Sequence, residues 1–97
     1  MIYIEAEKTT KKYATRKTIA EIFDYKNPSS LLKTFREIAD EQPHVFKPYK
    51  PYIKNKGMDT LYNVICFAFY FENKDLLEAG TRSIKFADEL PRLKEVY

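Results

Sequence analysis

The sequence predicts a single, mainly α-helical domain with a small β element, and three observations lead there. Apolar residues recur at helical spacing in two short segments, 16–24 and 29–40, on either side of a turn-forming run. A basic, aromatic stretch with three prolines follows at 43–57 and cannot be helical. A long apolar segment then extends over 60–79. Ninety-seven residues suffice for one compact domain and not for two. Two glycines leave no room for a long flexible linker, while eight Tyr and seven Phe provide an aromatic core. Each large side chain that is fully buried contributes roughly 1.5–3 kcal/mol, and a chain this small needs that density.

Taken in order, residues 1–6 alternate Ile2, Ile4 and Ala6 against Tyr3 and Glu5, as a short strand would. Residues 8–14 form a basic arm. Thr15 is the expected N-cap of a first helix over 16–24, in which Ile19, Ala20, Ile22 and Phe23 share a face. The run from Asp24 to Ser29 is turn chemistry, with Asn27 ahead of a proline and Pro28 suited to the first turn of the next helix. In that helix Leu31, Leu32, Phe35, Ile38 and Ala39 form the apolar face. Ser29, Ser30, Lys33, Glu37 and Asp40 point the other way, with Thr34 and Arg36 at the margins. Pro43 ends it.

The 43–57 segment reads as extended, turning at Asn55-Lys56-Gly57. Asp59 is then expected to cap a third helix over 60–79, which Gly80 stops. The β-branched and aromatic run 64–71 also suits a strand; the overall length and the helix-forming DLLEA favour the helix. Leu61, Val64, Ile65, Ala68 and Phe69 would make one apolar face, with Phe67, Tyr70 and Phe71 off it. Such a segment must be covered on both sides, either by the C-terminal residues or by a homodimer partner through residues 60–71. Ile84 and Phe86 alternate across a short extended piece, and 87–97 ends in a helical turn or two around Pro91. The expected division is therefore a basic arm (8–14), a helical pair (15–41), a basic extended segment (43–57), a core helix (59–79) and a C-terminal extension (81–97).

Net charge is only +3, but its distribution is uneven. Residues 8–57 hold twelve basic and five acidic side chains, a local +7, while the flanks are each net −2. Within that block, 8–17 holds five Lys/Arg and no acid, and 43–57 holds four Lys and no acid. Two acid-free basic segments around one helical pair suit a polyanion better than a merely solvated face.

Enzyme chemistry finds no foothold. One His (His44) and one Cys (Cys66), with scattered acids and no glycine-rich phosphate loop, suggest no catalytic residue, metal ligand, cofactor or small-molecule substrate. Cys66 reads as a small buried apolar residue. A lone cysteine forms no internal disulfide and fits a reducing compartment. The N-terminal residues lack the basic and apolar pattern of a secretory signal, and the eight-residue apolar run 64–71 is too short for a bilayer. The expectation is a cytoplasmic protein with no membrane partner.

Two short helices about a sharp turn, the second with a polar outer face, make a helix-turn-helix. Ala20 would be the small residue where the helices meet, and Asp24 to Pro28 would reverse the chain. The second helix would show short polar and basic side chains to base edges near its N-terminus. Ser29, Ser30 and Lys33 are the expected DNA base contacts, with Thr34 after them. Arg16, Lys17, Lys26 and Arg36, with Lys47, Lys50, Lys54 and Lys56, would hold the backbone. Glu37 and Asp40 repel phosphate, so the C-terminal half should tilt away. The plain alternatives are a helical hairpin used for packing and a loop kept soluble by its lysines.

Residues 12–77 resemble the winged helix-turn-helix of MerR-type and phage excisionase-like proteins. Tyr13, Thr15, Ile19, Ala20 and Phe23 match a Y-x-T/S-x-x-x-I/V-A-x-x-F/L first helix, and residues 29–38 match the recognition helix. Asp24-Tyr25 departs from the Gly and small apolar residue frequent at the family's turn. The resemblance implies a wing bearing Lys47, Lys50, Lys54 and Lys56, with Leu61, Ile65 and Ala68 beneath it. It also implies a non-catalytic role, bending or marking DNA for a recombinase or regulating promoters. The expected function is duplex-DNA binding by an excisionase-like protein or transcriptional regulator of a phage or mobile element. The alternative is a protein–protein interaction module using an aromatic surface at residues 60–71, with Tyr62, Phe67, Tyr70 and Phe71.

Overall fold

The computed structural model describes residues 13–47, 49–54, 56–80 and 85–97. The expected strand at 1–6, Lys8, Lys11 and Lys12 of the expected arm, and Ile84 lie outside them. Among the described residues the chain is mostly helical with a small antiparallel sheet. In chain order the elements are β1 (Tyr13–Ala14), α1 (Arg16–Ile22), α2 (Ser29–Glu41), β2 (Tyr52–Ile53), β3 (Leu61–Asn63), α3 (Val64–Glu72), α4 (Lys74–Glu78) and α5 (Phe86–Val96).

Helix α1 starts where expected, with the Thr15 hydroxyl accepting from the Thr18 amide. It ends at Ile22, two residues early, because Asp24 takes a φ of 50°. Glycine adopts that left-handed conformation most cheaply, and Asp tolerates it better than most residues. Asp24 thus supplies the chain reversal without glycine. The Asn27 side chain then accepts from the Ser29 amide, and Pro28 is fully buried at the head of α2. Helix α2 buries Leu32, Phe35, Ile38 and Ala39, as its apolar spacing dictates. Ile19 is fully buried on α1, whereas Ala20 is only half-buried. The small residue is therefore not the main filler between the two helices.

The sheet order is β1-β3-β2, with Tyr13 opposite Asn63 and Tyr52 opposite Tyr62. Tyr13 and Ala14 are therefore strand rather than arm. The expected single helix over 59–79 is also corrected. Leu61–Asn63 is the central strand, and Asn63, not Asp59, caps the helix that follows, its Oδ1 accepting from the Cys66 amide at 2.9 Å. Three extended residues carry too little alternation to stand out against an apolar run. Residues 64–71 are helical, and Asn73 separates α3 from α4. At the other end, α5 begins at Phe86 and runs through Pro91 without interruption, so Phe86 belongs to a helix rather than an extended piece.

Every residue from Val64 to Tyr70 is buried, so α3 is the core axis. Phe86 and Leu93 of α5 cover the face that β3 and α2 leave open, and Arg92 reaches across to Glu72 at 2.6 Å. Phe35 lies at the aromatic centre, with ring centroids 5.3–6.4 Å from Phe46, Tyr62, Phe67 and Tyr70. The second face of the apolar segment is thus covered within the chain. Tyr62, Phe67 and Tyr70 are buried and Phe71 is half-buried, so the first three belong to the core and only Phe71 of the four reaches the surface in part.

Burial has a consequence at alkaline pH. It pushes the Cys66 thiol well above its ordinary range, and it does the same to the Tyr70 phenol, helped by the bond to Glu78. Both groups stay protonated in the fold at pH values where the unfolded chain releases the proton. Stability contributed this way is complete below about pH 8.5 and declines as the unfolded thiol and then phenols (about 10) ionise. The denaturation midpoint in guanidinium is therefore expected to fall progressively from pH 9 to 11; a flat or rising midpoint would contradict the burial of these two groups.

Candidate nucleic-acid interface

The outer face of α2 is narrow. At about 100° per residue, Lys33 and Glu37 lie at its middle and Ser30 beside them, directly opposite the buried row. All three are exposed, as is Ser29. Asp40 lies about 20° from Lys33 on the side toward the sheet, with Arg36 about 40° further round on that shoulder, and Thr34 lies on the shoulder toward α3.

Each shoulder is occupied by an internal bond. The Arg36 guanidinium donates from Nη1 to the Tyr62 hydroxyl at 2.6 Å, and the Tyr52 hydroxyl donates to Asp40 Oδ1 at 2.8 Å. Tyr52 and Tyr62 are cross-strand partners, so two bonds fasten one edge of α2 to the β2–β3 hairpin. The bond to Asp40 raises the Tyr52 pKa, since the carboxylate favours the phenol with its proton on; some burial adds to it. On the other shoulder, Thr34 is half-buried, its hydroxyl donates to the Ser30 carbonyl, and the Tyr70 phenol lies against it. Thr34 is therefore withdrawn from the expected base contacts. Arg36, expected on the backbone, has one nitrogen committed to Tyr62.

The remaining basic residues are all at the surface. Arg16 and Lys17 open α1, and Lys26 lies on the turn before α2. Lys47 and Lys50 lie in the connection from α2 to β2, with Lys54 and Lys56 in the loop joining β2 to β3. The connection is not wholly extended: 43–47 is a run of turns that drops Phe46 into the core, and only Tyr52–Ile53 pairs as strand. Tyr13 of β1 donates to the Lys50 carbonyl at 2.8 Å and holds that connection against the sheet. The hairpin turns at Lys56 and Gly57, where Gly57 has φ 79°. Next to the hairpin, an open cleft of about 350 Å³ is lined by Thr15, Arg16, Lys17, Asp59, Thr60 and Tyr62. The start of α1, the return strand of the hairpin and, through Tyr62, the edge of α2 are thereby brought together.

Sequence reasoning missed the bracketing role of Tyr52, Tyr62 and Asp40. The available signal was the i,i+4 placement of Arg36 and Asp40, which puts both on one shoulder and implies a shared neighbour. Among the described residues no group of three or more His, Cys, Asp or Glu is placed to hold a metal, and no helix is long and apolar enough to cross a membrane. No family model, curated protein or solved structure matches the chain.

Proposed function

We propose that the protein binds duplex DNA without chemistry, as a winged helix-turn-helix in which α2 enters the major groove and the β2–β3 hairpin is the wing. The observation that supports this best is the topology. A helical pair is inserted between β1 and β2, the sheet order is β1-β3-β2, and the hairpin loop is basic. This arrangement sets a helix with a polar outer face beside a lysine-bearing hairpin, and the Arg36–Tyr62 and Tyr52–Asp40 bonds hold the two together. Ser29, Ser30 and Lys33 are the base-reading candidates. Arg16, Lys17, Lys26, Lys47, Lys50, Lys54 and Lys56 are the phosphate candidates, with Arg36 as a positioning residue. A role for a phage or mobile element, in excision or in transcriptional control, fits the resemblance of residues 12–77 to MerR-type and excisionase-like proteins.

A duplex titration across salt concentration tests the reading. Neutralising five to seven phosphates gives a slope of about −4.5 to −6.3 in log K against log salt. Affinity then falls by about three to four orders of magnitude between 50 and 200 mM salt. The double variant S30A/K33E is expected to weaken binding at least about tenfold, given roughly 1–3 kcal/mol per good base contact, at unchanged oligomer size. A flat salt response would rule the reading out.

A further inference from the structure

The middle of the α2 outer face holds an acid. Glu37 is exposed, and among the described residues it makes no ion pair or side-chain hydrogen bond. Lys33, one turn earlier, is likewise exposed and not paired with it. The order Lys then Glu at i,i+4 is the less favourable one for a helical ion pair, which leaves both groups turned outward. The helix cannot roll to move Glu37 aside. Arg36 and Asp40 are fixed to Tyr62 and Tyr52 on one shoulder, and Thr34 faces Tyr70 on the other.

A carboxylate on a face that meets a polyanion is repelled unless a donor receives it. The major groove offers two amino donors, cytosine N4 and adenine N6. Adenine places the N7 acceptor beside its amino group, which suits an amide and repels the second carboxylate oxygen. Cytosine shows the donor alone, and a carboxylate is its matched partner. Lys33, which can only donate, is matched to guanine O6 and N7. The two side chains lie about 40° apart around the helix and about 6 Å apart along it, the span of one or two base-pair steps.

We infer that Glu37 is a specificity-determining residue that accepts a hydrogen bond from the N4 amine of a cytosine, beside a guanine read by Lys33. The inference rests on the duplex-DNA reading above and assigns the chemistry of its target: a G·C-containing step facing the middle of α2.

Selection from a randomised duplex pool, followed by titration of the selected sites with the parent protein and with Glu37→Gln, tests it. Sites recovered by the parent should share two G·C pairs one or two steps apart, one read through its cytosine and the other through its guanine. Replacing that cytosine should weaken the parent by roughly 5- to 100-fold and weaken E37Q little, with E37Q shifting its preference to adenine there. Glu37 is exposed, so E37Q should unfold at the parent's temperature. A steep salt response with no shared cytosine, or a uniform gain in affinity for every duplex in E37Q, overturns the assignment and leaves DNA binding standing. No duplex binding by the folded parent overturns both.

Discussion

Phe35→Ala is expected to remove about 3–5 kcal/mol of stability, the largest loss for any single side chain on α2. Phe35 is fully buried, and its ring meets Phe46, Tyr62, Phe67 and Tyr70, which come from the connection after α2, from β3 and from α3. Truncation therefore opens a cavity bounded by four rings that are themselves held by other elements and cannot close over it. A domain of this size has roughly 5–15 kcal/mol in total, so the variant gives up between a fifth and all of it. Thermal unfolding should show a fall of about 12 °C or more, at about 4–8 °C per kcal/mol. Phe35→Leu, which fills most of the volume, should lose distinctly less. A loss below about 1 kcal/mol in the alanine variant would mean that the aromatic centre lies elsewhere.

The second large effect concerns binding. Replacing Lys47, Lys50, Lys54 and Lys56 together by Ala should flatten the salt slope by as much as about 3.6, at about 0.9 for each phosphate that is no longer neutralised. Affinity near physiological salt should drop by about two to three orders of magnitude. All four side chains are exposed, so the melting temperature should scarcely move. That separation of binding from stability is the useful feature of the experiment. An unchanged slope would return these lysines to the plainer role of keeping a loop soluble, and it would leave α1 and the turn at Lys26 as the phosphate-facing parts. Lys54 and Lys56, on the hairpin loop itself, should account for more of the change than Lys47 and Lys50 on the approach to it.

The helical pair was legible because its signals are local. Thr15 precedes an amphipathic stretch, and the apolar spacing over Leu31 to Ala39 admits one face. Strand β3 was hidden for the opposite reason. Leu61-Tyr62-Asn63 is extended because Tyr13–Ala14 and Tyr52–Ile53 pair with it from either side, and one of those partners lies about fifty positions away. Both Asp59 and Asn63 are chemically fit to cap a helix; tertiary pairing, which no local pattern displays, decides between them. The site divided in the same way. Exposure of Ser30, Lys33 and the hairpin lysines follows from periodicity and proline content. The withdrawal of Arg36 and Thr34 depends on hydroxyls contributed by Tyr62 and Tyr70, which the sequence alone presents as members of an aromatic surface.

At Asn63 the central strand passes directly into the core helix, with no intervening loop. There is no compliant joint at that end of the hairpin. The strand inherits the stiffness of a helix packed on every side, and α2 is tied to the same strand through Tyr62. On the proposed reading, a protein framed in this way does not adapt α2 and the hairpin to one another. In a complex, any mismatch between their spacing and that of the grooves would be taken up by bending or twisting the duplex. Sequences that deform cheaply, such as those with pyrimidine–purine steps between the two contacts, would then be favoured at positions no side chain touches.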